Sequence, residues 1–249
     1  MRESMRNIKL TIEYDGTGYH GWQIQPEVRT IQGTLEEKIG VIAGEQISLV
    51  ASGRTDAGVH ALGQVANFKT ESRIPLGALK RGLNSLLPDD IAIKRVEAVS
   101  HDFHARFSAR SKLYTYRVFN SKVSSPMERN FSWHVPERLD LGKMREAARL
   151  LLGRHDFSAF RAAQTENLNP VRTLMVLEIA RKRNKIIQFR IRADAFLKHM
   201  ARNIVGTLVD VGKGKRDPEC LKAILGARDR TQAGMAAPPN GLFLVEVDY

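Results

Sequence analysis

Two runs, Gln46-Ile47-Ser48-Leu49-Val50-Ala51 and Gly63-Gln64-Val65-Ala66-Asn67-Phe68-Lys69, decide the fold. Both are short, partly apolar and bounded by turn formers, the pattern of strands. Each is flanked on its outer side by a helical pattern. Upstream, residues 30–43 carry Ile31, Leu35, Ile39 and Ile42 at helical spacing. Thr34 to Glu37 offers a capping-box pattern that falls inside that run. Downstream, Leu76, Leu79, Leu83 and Leu86 follow Pro75 over residues 75–87, and proline suits a first helical turn. Further out, Ile8, Leu10, Ile12 and Tyr14 alternate with polar residues, and Ile91-Ala92-Ile93-Lys94-Arg95-Val96 returns to strand. The order is βαββαβ, that of a split-βαβ, ferredoxin-like unit.

The second half repeats that order. Residues 112–119 read as a strand with Tyr114, Tyr116 and Val118 on one face. A helix follows Asp140 through Leu141, Met144, Ala148, Leu151 and Leu152. Residues 171–181 and 185–192 read as strands joined by a tight turn at Arg183-Asn184. A helix then runs from Phe196 to Val211 and stops at Gly212, a good C-cap. A short helix at 217–226 and a strand at 242–247 complete the set. The expected fold is therefore α+β, with two ferredoxin-like βαββαβ halves forming a largely antiparallel central sheet and helices packed on it. The expected units are 1–108 and 109–249, with an active site in the cleft between the halves.

The chain has 249 residues, 43% hydrophobic and 27% charged, which is ordinary globular usage. No run approaches the ~18 apolar residues of a membrane span. No apolar region follows the charges at the start, so no secretory signal is expected. Cys220 is the only cysteine, which excludes an intramolecular disulfide, a paired-cysteine redox motif and a multi-cysteine zinc site. A reducing, cytoplasmic setting fits. The formal net charge is +12. Residues 1–108 hold 13 basic and 13 acidic side chains, whereas residues 109–249 hold 26 and 14. An excess confined to one half suggests a polyanionic partner, nucleic acid before membrane, against the plainer reading of a soluble basic protein.

The densest chemical candidate is the loop Ser52-Gly53-Arg54-Thr55-Asp56-Ala57-Gly58-Val59-His60-Ala61 between the two opening strands. An aspartate held there can serve as nucleophile, base or metal ligand, or it can simply cap local amides of a turn. Tyr14-Asp15-Gly16-Thr17 departs from the Asp-x-Asp-Gly-Thr loop of an aspartate-nucleophile phosphatase, because position 13 is Glu13 instead of the aspartate. His101 and His104 have metal-ligand spacing but no supporting cluster, so packing is the better reading. Val211-Gly212-Lys213-Gly214-Lys215-Arg216 follows a helix and is not a phosphate loop. Cys220 reads as packing. Arg190 and Arg192 share one face of their strand, with Ile187, Phe189 and Ile191 on the other. Lys198 and Arg202, four apart on the long helix, flank its apolar stripe as neighbours.

The Gly53-Arg54-Thr55-Asp56-Ala57-Gly58-Val59-His60-Ala61 segment resembles the active-site motif of the tRNA pseudouridine synthase A family. Tyr14-Asp15-Gly16-Thr17-Gly18-Tyr19-His20-Gly21-Trp22-Gln23, Phe103-His104-Ala105-Arg106-Phe107-Ser108-Ala109, Lys112-Leu113-Tyr114-Thr115-Tyr116, Asp156-Phe157-Ser158-Ala159-Phe160, Gly241-Leu242-Phe243-Leu244-Val245 and the segment from Phe196 to Gly206 agree in order and approximate spacing. The resemblance implies a tRNA uridine isomerase acting at positions 38, 39 and 40 of the anticodon stem-loop. It implies Asp56 as the catalytic carboxylate, attacking C1′ or acting as a base at C2′, and Arg202 as the cation that keeps it ionised in a partly dry site. Tyr114 becomes the substrate-contacting tyrosine, and Arg54 the filler of the space left by the extruded base. Lys198, Arg190, Arg192 and the Arg181-Lys182-Arg183 run are candidates for phosphate contact. The implied partner is tRNA and the implied assembly a homodimer. Moving a base from N1 to C5 involves no net redox change, so no cofactor and no metal is expected. Two rivals remain: a non-catalytic RNA-binding protein or chaperone on the same scaffold, and an aspartate-dependent phosphohydrolase.

Overall fold

The alternation at residues 8–14 forms β1 (Arg6–Tyr14), whose Ile8, Leu10 and Ile12 are wholly buried. A computed structural model describes residues 5–162 and 169–249. Among them lie ten strands and five α-helices, a mixed α+β architecture. The chain divides into one unit of Met1–Arg110 with Leu244–Tyr249, and another of Ser111–Phe243.

In the first unit, β1 is followed by α1 (Ile31–Ala43), β2 (Val50–Ala51), β3 (His60–Thr70), α2 (Leu76–Leu86) and β4 (Ile91–Val99). The expected βαββαβ order is present. β1 lies between β3 and β4, antiparallel to both, so that Leu10 faces Ala66 on one side and Val96 on the other. β2 pairs with β3 only through Val50 and Ala51. The strand expected over 46–51 shrinks because the Leu49 N–H donates to Glu36 Oε1 at 2.7 Å, a side chain of α1 instead of a neighbouring strand. Thr30 caps α1 by accepting from the Gly33 N–H, and Gly44 ends it at φ 71. The capping-box reading at Thr34 is corrected: Thr34 sits inside the helix and its hydroxyl donates back to the Thr30 carbonyl. Pro75, extended at ψ 139, stands just before α2 and not within its first turn. α2 packs on β4 and against α1.

The second unit contains β5 (Ser111–Asn120), β6 (Trp133–Val135), α3 (Leu141–Arg149), β7 (Gly153–Asp156), β8 (Val171–Arg181), β9 (Ile186–Ala193), α4 (Met200–Gly212) and α5 (Cys220–Ala227). Its strand order is β5-β9-β8-β7, all antiparallel, with β6 parallel to β5. β6 and β7, three and four residues long, are too short to leave a period in the sequence. Asp140 caps α3 through the Gly142 and Lys143 amides. The helix ends before Leu152 because its last turn tightens to Leu152 N–H→Arg149 O and Gly153 turns out at φ 98.

Two further boundaries move for local reasons. The β8–β9 turn is carried by Asn184 and Lys185, at φ 55 and 62, one residue later than read from sequence. α4 begins at Met200, not Phe196, because His199 adopts φ 63 and breaks the helical run. At its other end Gly212 is still helical, and the left-handed residue is Gly214. Gly212 is small for another reason: a Cβ there would lie 2.5 Å from Met144 Sδ of α3. The final strand, β10 (Leu242–Asp248), contributes Leu244–Asp248 to the first unit, where it pairs with β3.

Candidate active site

The Asp56 loop connects β2 to β3, and its shape is imposed from both ends. On the β3 side, the wholly buried Gln64 accepts from the Ser52 hydroxyl at 2.7 Å and donates to the Gly53 carbonyl at 2.9 Å. The Asp56 carbonyl accepts from the Val59 N–H, closing a turn in which Gly58 takes φ 74. Thr55 is buried, Asp56 half-buried, and Arg54 and Ala57 are exposed.

The rear of this loop rests on the segment that follows β1. The Tyr14 hydroxyl lies 2.8 Å from Thr55 Oγ1, and the Trp22 N–H donates to the Thr55 carbonyl at 3.0 Å. Burial pushes the Tyr14 phenol up to about 12, so it stays neutral throughout the working range. The two backbones approach so closely that side chains are excluded. A Cβ on Gly21 would lie 2.6 Å from the Thr55 carbonyl oxygen, and one on Gly16 would lie 2.0 Å from that of Val59. Gly21 also sits at φ 86. His60, at the loop's exit, is 1% exposed, and its Nδ1 accepts from the Gly16 N–H at 3.0 Å. Outside this layer, the Tyr19 hydroxyl donates to Asp90 at 2.5 Å while the Arg29 guanidinium lies over the Tyr19 ring at 4.4 Å. Asp15, the phosphatase-like decoy, accepts from the amide and hydroxyl of Thr17, a local capping role.

In the second unit, Tyr114 on β5 is 7% exposed and meets Phe196 edge-on at 4.8 Å. Tyr116, two residues further along β5, donates its hydroxyl to the Pro238 carbonyl; burial raises its phenol well above the ordinary value, opposed in part by the charge of Arg202. It is a core tyrosine. Arg202, half-buried in the first turn of α4, is fixed by two bonds to Ala237: its Nε donates to that carbonyl at 2.7 Å, and its own carbonyl accepts from that amide. Next to it, Asn203 is 1% exposed, donates to the Phe160 carbonyl and accepts from Arg230.

The remaining basic candidates differ from their sequence reading. Lys198 is exposed but precedes the left-handed His199, so it is not a helical neighbour of Arg202. Arg190 stands directly opposite Glu178 in the β8–β9 register and pairs with it at 2.7 Å, both exposed. Such a pair is weak in water. Arg192 donates to the Ser111 hydroxyl. Among the described residues no group of three or more His, Cys, Asp or Glu could hold a metal ion. His104 Nδ1 instead accepts two backbone amides. The Cys220 thiol is half-buried, and burial pushes it up. Sequence reasoning from spacing missed Tyr14, Gly21, Gln64 and Asn203 as supports; the first two lie within the Tyr14–Gln23 segment, whose density of Gly and aromatic residues was the available signal.

The family model for tRNA pseudouridine synthase matches residues 10–108 and 147–249. A tRNA pseudouridine synthase A from Acetivibrio thermocellus is 48% identical over 245 residues, spanning 98% of this chain and 100% of that one. Its counterpart from Geotalea uraniireducens is 46% identical over the same spans. Among solved structures, a Cbf5-Nop10-Gar1 complex covers 95% of this chain and 57% of its own at 13% identity and a TM-score of 0.38, too distant to bear on the site. With the family model matching both halves and relatives of nearly half identity along the whole length, the chain belongs to the tRNA pseudouridine synthase family.

Proposed function

We propose that this isomerase acts on uridines 38, 39 and 40 of the tRNA anticodon stem-loop, with Asp56 as its nucleophile. The family membership makes it a tRNA pseudouridine synthase, an enzyme that isomerises uridine in tRNA. The N1–C1′ bond of the nucleotide must break and a C5–C1′ bond form. In the proposed route an Asp56 oxygen bonds C1′ as uracil departs with the N1 electron pair. The base turns, C5 attacks C1′ and releases the carboxylate, the C5 proton passes to water and N1 takes one up.

The observation that carries this reading is the way the Asp56 loop is held. A half-buried carboxylate sits in a turn whose backbone is clamped from behind by Gly21 and Tyr14. A nucleophile that must meet C1′ in line gains most from such prior orientation. Arg202 is assigned as the cation that favours the ionised carboxylate. Its guanidinium, tied at Nε to Ala237, is held in one orientation with its other donors in fixed directions. Tyr114, held by Phe196, is assigned to contact the uracil ring, and the exposed Arg54 to fill the space of the extruded base. Lys198, Arg190 and Arg192 are assigned to phosphate, with Arg190 released from Glu178 on binding.

The two units are read as related ferredoxin-like halves. In the first unit β3 lies between β1 and β2, with α1 between β1 and β2 in the chain; with the short β6 and β7 set aside, β9 likewise lies between β5 and β8, with α3 between β5 and β8 in the chain. The first then carries the carboxylate loop and the second the basic RNA-binding surface. A homodimeric, cytoplasmic, RNA-binding enzyme completes the reading. No helix among the described residues is long and apolar enough to cross a membrane. The test is tritium release from C5-labelled uracil in tRNA. Wild type releases label from tRNAs with uridine at 38, 39 or 40, and Asp56→Asn releases none. Release by Asp56→Asn at the wild-type rate would remove Asp56 from the chemistry.

A further inference from the structure

Phe107 is 77% exposed, yet it is not on a loose tip. Its ring stacks on His104 with centroids 4.3 Å apart and planes 27° from parallel, and the Arg106 guanidinium lies 5.7 Å from the ring centre. His104 is itself locked. Its Nδ1 accepts the Arg106 and Phe107 amides at 3.2 Å each, and its backbone exchanges bonds with Ser108 through N–H→Oγ and O←H–N. The base of the loop is pinned at three points within the first unit. The Ala105 N–H donates to buried Asn67, the Tyr249 hydroxyl donates to the Ala105 carbonyl, and Asn7 donates to the Phe103 carbonyl. Eight ordered hydrogen bonds or ring contacts thus support an aromatic side chain that stays largely exposed.

We propose that Phe107 is a stacking platform for an unpaired base of the substrate tRNA, with His104 as its rigid underside and Arg106 beside it for the phosphate. His104 stacks on the ring, the exposed Arg106 guanidinium lies over it at 5.7 Å, and a side chain 77% exposed still offers ring surface on which a base stacks regardless of its identity. The surroundings are polar. Asp102–Arg110 contains two exposed arginines, Arg106 and Arg110, against one aspartate, and along the chain the next exposed large apolar residues on either side of Phe107 are Leu86 and Val123. A protein-docking site would need a wider apolar patch. The base it takes is not the one isomerised: Asn67, which anchors the loop, is seven residues along β3 from His60, roughly 23 Å at the rise of a strand.

The inference rests on tRNA being the substrate, and the experiment separates the two. Equilibrium binding of full-length tRNA is measured for wild type, Phe107→Leu, Phe107→Trp, Arg106→Ala and, as a matched loss of an exposed apolar residue, Val41→Ser. Affinity in Phe107→Leu is expected to fall about 5- to 150-fold, the range of one base–aromatic stack, with the slope of affinity against salt unchanged. Phe107→Trp should restore binding, and its added tryptophan fluorescence should be quenched by tRNA. Arg106→Ala should lower the salt slope by about one ion, and Val41→Ser should bind as wild type does. Wild-type affinity in Phe107→Leu overturns the platform. A change of oligomeric state in Phe107→Leu with per-subunit affinity intact overturns it in favour of a contact between copies. Absence of tRNA binding in wild type would instead strike at the substrate.

Discussion

The Tyr14 hydroxyl lies 2.8 Å from that of Thr55, both side chains buried, one residue ahead of Asp56. Through this contact β1 sets the position of the loop that carries the carboxylate. Tyr14→Phe leaves the Thr55 hydroxyl buried without that partner, at a cost of about 1–3 kcal/mol. The turnover number is expected to fall about 10- to 100-fold, as small misplacements of a reacting group do, with tRNA affinity close to wild type. Steady-state kinetics on one tRNA checks the split.

Gly21→Ala tests the backbone approach. The new Cβ would meet the Thr55 carbonyl at 2.6 Å and must hold φ 86, so the loop has to move. Activity should be lost by more than in Tyr14→Phe, while Gly18→Ala, whose Cβ meets nothing within 4 Å, should behave as wild type. Tritium release from both variants, beside their melting curves, decides it.

Arg202→Met should cost more activity than Arg202→Lys, because lysine keeps a charge but not the planar fork, which bonds Ala237 through Nε and, in the proposed role, would hold a carboxylate with its other donors. Both should cost more than Lys80→Met on the outer face of α2. Equal rates for all three would separate Arg202 from the chemistry.

Tyr114→Phe against Tyr114→Ala separates ring from hydroxyl. If the ring only stacks, phenylalanine keeps full activity and alanine loses binding worth about 1–3 kcal/mol per base. A large fall in the Phe variant's turnover number would assign the hydroxyl a proton.

Alkaline stability should follow the buried phenols. Tyr14 is raised from 10.0 to about 12 by burial. The raised group contributes its full stability below pH 10, and loses it as pH climbs from 10 through 12 and the unfolded phenol ionises first. The melting temperature of wild type should drop across that window, and Tyr14→Phe should flatten part of the drop.

Much of this was legible in the sequence, and the misses share a cause. Apolar period placed β1, α1, α2, β5, β8 and β9 because each buries one face against a neighbour over several turns or pairs. It misplaced the start of α4, since a left-handed His199 leaves the apolar spacing of Leu197 and Met200 intact. It overstated the strand at 46–51, where Leu49 is as buried as a strand residue but bonds Glu36. Gly212 looked like a stop signal and is a packing residue against Met144. At the site, Asp56 and its glycines were visible as a motif. The support from Tyr14, Gly21 and Gln64 was not, because contacts that join residues 11 to 41 positions apart leave no local pattern.

One feature of connectivity bears on how the enzyme is made. Leu244–Asp248 completes the first unit, yet the whole of Ser111–Phe243 separates it from Arg110. On a ribosome adding residues at about 5–20 per second, the edge of β3 that β10 will cover waits on the order of ten seconds for its partner. An open strand edge is an invitation to pair with another chain. Vectorial synthesis therefore places the greatest demand for chaperone shielding on the first unit, although its residues emerge first.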